Sequence, residues 1–251
     1  MSATVLETRG VTKHFGGLIA VDNVDFALPA GNLRAIIGPN GAGKSTFFNV
    51  VSGFLPPTSG EVFFHGRRIT GLPPHRVARL GMGRTLQVKS VFASMTIEEN
   101  VWVAVQSREG VQHPFRPAMR APRLRRRVGE LLELVGLTAL ARAVAGNLAY
   151  GDLCLLEIAM ALGTSPTLLL LDEPTAGMSP EETTRTTATI RALSKTVAII
   201  LVEHDMEVVL DLADTISVFH QGRLLAEGTP REITGNPAVQ EAYLGVEHAE
   251  A

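Results

Sequence analysis

Apolar and polar positions alternate through Val24, Phe26 and Leu28, and Pro29-Ala30-Gly31 closes the run, which predicts a strand and a turn. Leu33-Arg34-Ala35-Ile36-Ile37 then reads as a buried strand, and Thr46-Phe47-Phe48-Asn49-Val50-Val51 as a helix. A breaker-rich connection, Phe54-Leu55-Pro56-Pro57-Thr58-Ser59-Gly60, leads into strand-like Glu61-Val62-Phe63-Phe64. From about Val88 to Leu148 the pattern is helical, with Leu131, Leu132, Leu134 and Val135 predicted on an apolar face. Strands return at Leu168–Leu171, Ala198–Val202 and Ile216–Phe219, with helices predicted between them at Thr183–Leu193 and Met206–Leu212. Apolar strands alternating with helices predict an α/β chain whose largely parallel sheet is covered on both faces. The helical middle reads as an inserted subdomain.

Between the strand at Leu33–Ile37 and the helix after it lies Gly38-Pro39-Asn40-Gly41-Ala42-Gly43-Lys44-Ser45-Thr46, which fits G-x-x-x-x-G-K-[ST] in the strand–loop–helix setting that this pattern requires. Glycines there let backbone N–H groups approach phosphate oxygens at the positive end of the helix dipole. Lys44 would reach the β- and γ-phosphates of a nucleotide, and the Ser45 hydroxyl would ligate Mg²⁺. The apolar run Leu168-Leu169-Leu170-Leu171 ends in Asp172-Glu173. A buried strand beside the loop strand would bring Asp172 near Mg²⁺, with Glu173 placed to polarise a water attacking the γ-phosphate.

Composition adds bounds. The chain has 251 residues, 45% of them hydrophobic, enough for a sizeable core. A net charge of −2 gives no general reason to expect nucleic-acid binding. The single cysteine, Cys154, has no partner for an internal disulfide and sits in an apolar run, so a packed thiol in a reducing compartment is expected. The sequence from Met1 lacks a basic region followed by an apolar segment, so no signal peptide is expected. No apolar run nears the roughly 20 residues that span a bilayer. Arg116, Arg120, Arg123, Arg125, Arg126 and Arg127 form one basic cluster, interrupted by Pro114, Pro117 and Pro122. A solvated loop and helix start fits it, as does contact with anionic headgroups or a membrane partner. Nucleic acid does not, because no aromatic platform is interleaved.

Further residues fall in order around the two strong motifs. Leu148-Ala149-Tyr150-Gly151-Asp152 opens the apolar helix pattern of Leu153–Leu156, Gln87 follows the β-rich half, and Ala176-Gly177-Met178-Ser179 follows the carboxylates. His204 follows Leu201-Val202-Glu203, and Phe15 precedes Gly16-Gly17. With these motifs the chain resembles an ATP-binding cassette (ABC) ATPase over essentially its whole length. The resemblance implies a P-loop NTPase (RecA-like) core at 1–87 and 154–251, an N-terminal antiparallel β portion, and a helical subdomain at 88–153. It implies ATP and Mg²⁺ as ligands. Gln87 would sense Mg²⁺ and the attacking water, and His204 would contact the γ-phosphate. Phe15 would stack on adenine, although a core contact before a turn is an equal reading of Phe-Gly-Gly. Ala149, Tyr150 and Gly151 would stand in the signature pentapeptide that meets a second chain's nucleotide. Two such ATPase chains, alike or paralogous, would face head to tail and sandwich ATP, and their closure would drive attached permeases.

Phe15-Gly16-Gly17-Leu18, the Tyr-Gly signature, Glu203-His204-Asp205-Met206 and the tail Asn236-Pro237-Ala238-Val239-Gln240-Glu241-Ala242-Tyr243-Leu244-Gly245 are similar to the branch serving bacterial branched-chain amino-acid importers. That branch implies two transmembrane permease subunits and, indirectly, a periplasmic solute-binding protein, with the ATPase at the cytoplasmic face of the inner membrane. Urea and short-amide importers, a lipopolysaccharide exporter and soluble cassettes of translation or DNA repair are alternatives, as is a regulatory nucleotide binder. Intact Glu173 and His204 disfavour the last. Three positions depart from the family pattern. Ala149 removes a signature hydroxyl, Asp152 replaces a glutamine where a carboxylate could cap N–H groups, and Ser179 replaces an aspartate. Val91, Phe92 and Met95 lie in the connection where the family receives a permease helix, either exposed or packed internally.

Overall fold

The computed structural model describes residues 3–85, 91–109 and 122–247. The chain forms two compact units, Met1–Val77 with Ser194–Ala251, and Ala78–Leu193. The first carries two sets of strands. β1 (Thr4–Phe15) pairs antiparallel with β2 (Leu18–Pro29) and β4 (Ser59–Phe64), and β5 (Arg67–Arg68) continues from β4. Here is the antiparallel β portion. The alternation read in the sequence is real, since Val24, Phe26 and Leu28 are all buried on β2.

β3 (Leu33–Ile37) lies between two parallel neighbours, β8 (Ala198–Val202) and β9 (Thr215–His220), while β10 (Arg223–Gly228) turns back antiparallel on β9. β3 and β8 are buried at every position, which explains their unbroken apolar runs. The one exception is Arg34, whose guanidinium pairs with Glu227 and the Thr215 hydroxyl. α1 (Lys44–Val51) packs through Phe47, whose ring lies 5.4 Å from Phe26 and 5.2 Å from Phe219. Each such aromatic pair contributes about 0.5–1.5 kcal/mol beyond burial. This cluster anchors the helix that begins at the glycine-rich loop. α7 (Met206–Leu212), α8 (Pro230–Thr234) and α9 (Pro237–Glu247) complete the unit.

α2 (Pro74–Leu80) runs across the division of the chain. In the second unit β6 (Met82–Arg84) pairs parallel with β7 (Leu168–Asp172). Four helices belong to it: α3 (Ile97–Glu109), α4 (Pro122–Leu134), α5 (Tyr150–Gly163) and α6 (Pro180–Ser194). The unit is wider than the 88–153 segment read as the helical subdomain, because two strands and α6 cluster with the helices. Leu131, Leu132 and Val135 are buried as expected, but Leu134 is 45% exposed. The buried stripe on α4 runs through Leu124, Val128, Leu131 and Leu132, and at 100° per residue Leu134 falls outside it. α4 begins at Pro122, a residue well suited to a first helical turn.

Candidate functional site

In the first unit, β3 delivers the chain into Gly38-Pro39-Asn40-Gly41-Ala42-Gly43, and α1 begins at Lys44. Gly43 has φ 99°, and a Cβ there would run into the Ala20 carbonyl of β2. Glycine is therefore demanded by the close approach of β2 as well as by the turn. The Ala42 N–H closes the turn onto the Pro39 carbonyl at 3.1 Å, and the Ala42 carbonyl accepts from Gly222 N–H at 3.0 Å. The loop is thus braced from both sides. Lys44 Nζ donates to the carbonyls of Gly38 and of Pro39, the latter at 2.9 Å, which holds the ammonium against the loop.

The start of α1 has a cap without a side-chain acceptor and no acidic residue in its first turn. Other helices of the chain bring a carboxylate to theirs, as Asp205 does for α7 and Glu232 for α8. An anion is the natural complement of an uncapped N-terminus flanked by a lysine. The residues at the loop therefore fit nucleotide phosphates. Ser45 is exposed and Thr46 half-buried beside it.

The β1–β2 hairpin places Phe15 opposite Leu18, two residues before Ala20. The Phe15 ring is 46% exposed, with Lys13 Nζ 5.2 Å from its centroid. It is a surface ring, not a core contact. His204 stands between the buried β8 and α7, whose N-cap Asp205 accepts from Glu207 and Val208 N–H. Its imidazole is 65% exposed, and Nδ1 lies 3.8 Å from the carboxylate of Glu203, which is fully buried and accepts the His204 backbone N–H at 3.2 Å. Tyr243 of α9 has its phenol pushed up to about 12 by burial, against an opposing interaction with the Gly38 backbone.

In the second unit, β7 ends at Asp172, which is 7% exposed, and Glu173 follows with φ 48°. A non-glycine residue in that region costs about 1–3 kcal/mol, and such strain concentrates where a side chain must be aimed. Asp172 Oδ2 receives Arg84 Nη2 from β6 at 3.2 Å. Burial pulls the Arg84 guanidinium below its ordinary pKa, the Asp172 charge acting against that. This buried pair was not foreseen. Among the described residues no cluster of three or more His, Cys, Asp or Glu could hold a metal. Mg²⁺ is commonly held by one or two carboxylates together with substrate phosphates and water, without a dedicated all-protein cage.

Ala149 is the N-cap of α5 and offers no side-chain bond, while Tyr150 is 44% exposed in the first turn. Asp152 does not cap the helix. Its carboxylate meets Arg185 at 2.6 Å. Cys154 is buried, as expected, with its thiol 3.1 Å from the Pro174 carbonyl. The sequence reading also missed Ser179-x-x-Glu182, a capping-box pattern visible in the sequence that starts α6. Phe92 is exposed, whereas Val91 and Met95 are half-buried. Gln87 lies outside the described residues, as do Arg116 and Arg120.

Residues 21–176 match the ABC transporter family model. The chain belongs to the ABC transporter family. Residues 223–249 of this cassette match a second model, the branched-chain amino acid ATP-binding cassette transporter. BraF of Pseudomonas aeruginosa, a high-affinity branched-chain amino acid transport ATP-binding protein, is 43% identical, covering 98% of this cassette and 99% of its own length. LivG of Escherichia coli, which carries the same description, is 42% identical with the same coverage. Among solved structures, the ADP conformation of the cassette MJ1267 superposes with a TM-score of 0.85 at 30% identity, over 96% of this cassette and 99% of that chain.

Proposed function

We propose that this cassette is the ATP-binding and ATP-hydrolysing subunit of a membrane importer for branched-chain or other hydrophobic amino acids. The observation that carries this reading is near full-length identity of 42–43% to branched-chain amino acid transport ATP-binding proteins, tail included. In it the loop 38–46 and the uncapped start of α1 receive the phosphates, with Lys44 leaving its carbonyl partners for the β- and γ-oxygens. Phe15, exposed at the hairpin end, offers its face to adenine. Glu173 accepts a proton from the attacking water, and His204, steadied by buried Glu203, contacts the γ-phosphate. Gln87 serves as a further contact to Mg²⁺ and that water. Ser45 and Asp172 would hold Mg²⁺, which when bound would supply positive charge beside the phosphates.

Each chain supplies only part of a site. Ala149, Tyr150 and Gly151 complete the site of a second ATPase chain, a copy or a paralogue, in a head-to-tail pair that closes on ATP and opens after hydrolysis. Two transmembrane permeases take up that motion, and a periplasmic solute-binding protein feeds them. No described helix is long and apolar enough to cross a membrane, so the cassette would sit at the cytoplasmic face through its permeases. The test is reconstitution of the cassette with branched-chain amino acid permease subunits from the same genome. ATP-driven uptake of leucine or isoleucine, lost with Lys44→Ala, is expected. Uptake of urea or an amide instead, or export of a lipid, would overturn the substrate assignment.

A further inference from the structure

Three contacts inside the second unit tie the first turns of α5 to the segment that follows the carboxylates. Gly151 N–H donates to Glu182 Oε1 at 3.1 Å, Arg185 pairs with Asp152 at 2.6 Å, and the Cys154 thiol meets the Pro174 carbonyl at 3.1 Å. Glu182 is where two structures join. Its Oε2 accepts from the Ser179 N–H and from the Ser179 hydroxyl, each at 3.0 Å, while its own N–H donates back to Ser179 Oγ at 3.3 Å. The same box recurs at Thr229–Glu232 and Thr96–Glu99, where one carboxylate oxygen does the capping. At Glu182 the second oxygen reaches a different helix.

The donors hold the Glu182 carboxyl below the usual carboxylate range, the Ser179 and Gly151 backbone foremost. Gly151 is shaped to the contact. A Cβ there would lie 2.9 Å from Glu182 Oε1 and 3.0 Å from Cγ, so the carboxylate occupies the space a side chain would need. Ala149 gives α5 no cap of its own, and Asp152 is turned to Arg185. The position of this exposed end is therefore set from α6.

We propose that Glu182 is a positioning residue for ATP hydrolysis: its carboxylate fixes the Ala149–Gly151 end of α5 to the turn that follows Glu173. The proposal rests on the paired-cassette reading, in which that end faces the second chain's phosphates. A shift of the Gly151 amide then moves Ser179 and the carboxylate turn with it, through one hydrogen-bonded group.

The test uses the full chain with Glu182→Ala and Glu182→Gln. Gly151 amide exchange is followed by NMR without nucleotide, and kcat and KM for ATP are measured alongside. Loss of a charge-assisted bond should speed Gly151 exchange roughly tenfold or more in Glu182→Ala. Turnover should drop about tenfold with KM within about twofold, since the phosphate loop is untouched. Glu182→Gln keeps one carbonyl oxygen and should recover part of both. Gly151→Ala should lower kcat in the wild-type background and cost less beside Glu182→Ala, where the carboxylate no longer blocks the methyl. Unchanged Gly151 exchange in Glu182→Ala overturns the proposal, and so does faster exchange with wild-type kcat. The pairing itself is read separately, from ATP-dependent dimerisation of Glu173→Gln. Absence of that dimer, with the variant alone and with it mixed with a paralogous ATPase chain, sinks the pairing and the proposal's role in turnover, whatever the exchange experiment gives.

Discussion

Replacing Arg84 by methionine tests how Asp172 is held at the end of β7. Arg84 and Asp172 meet at 3.2 Å with side chains only 10% and 4% exposed, so the change takes the cation away from a buried carboxylate and leaves similar volume. Breaking such a pair costs about 3–5 kcal/mol. The lower end applies here, because Asp172 keeps other contacts. At about 2–4 °C per kcal/mol for a chain of this size, Tm should fall by roughly 6–12 °C. Scanning calorimetry of the nucleotide-free protein measures it. Adding Asp172→Asn to the same chain removes the stranded charge and should return part of the loss, since replacing both partners of a buried pair is close to neutral. A Tm within about 2 °C of wild type would refute the argument. A double variant as unstable as the sum of the singles would refute it equally.

Lys44→Ala should leave the fold intact, because Phe47 and Phe48 anchor α1, and should raise the ATP dissociation constant at least about tenfold by calorimetry. Unchanged affinity would remove the phosphate-loop assignment. Phe92→Asp alters an exposed ring, so basal ATPase activity of the isolated cassette should stay within about twofold while transport by the assembled complex is lost. Normal transport would rule out this surface as the permease contact. The raised phenol of Tyr243 favours its neutral form in the folded state. Its stabilising contribution is full below about pH 10, the ordinary tyrosine value, and is lost as pH rises through about 12. Tyr243→Phe should flatten that part of the decline in urea midpoint, and identical alkaline slopes would contradict the burial.

Regular elements were legible where burial is two-sided or strictly alternating. β3, β7 and β8 announce themselves as apolar runs, broken only by Arg34 and by Asp172 at the end of β7, because every position is buried. β2 declares itself by alternation. β1 was harder, since its mixed burial and register shifts against β2 break the period of two. α8 carries its own signal in Thr229-Pro230-Arg231-Glu232, a capping box with proline inside, as Ser179-Pro180-Glu181-Glu182 does for α6. The strand–loop–helix setting of residues 38–46 was readable because its pattern is local in sequence. Arg84 was not, because its partner is 88 residues away and nothing near it marks a buried guanidinium. Asp152 misled for the same reason. A carboxylate in a first turn suggests a cap, and only the fold brings Arg185 to it. The left-handed backbone of Glu173 also has no sequence mark, since the neighbouring Pro174 restricts but does not specify it.

Glu173→Gln tests the central claim most directly. The change keeps size and removes the base, and general-base catalysis contributes about 10²–10⁴-fold. Steady-state phosphate release and light scattering are measured together on the purified chain with Mg-ATP. Wild type should turn over, while Glu173→Gln should bind ATP with near-normal affinity, hydrolyse it at least about a hundredfold more slowly and accumulate as a dimer. Near-wild-type turnover by the variant, or a wild-type chain that binds ATP without hydrolysing it both alone and with a paralogous ATPase chain, would contradict the account.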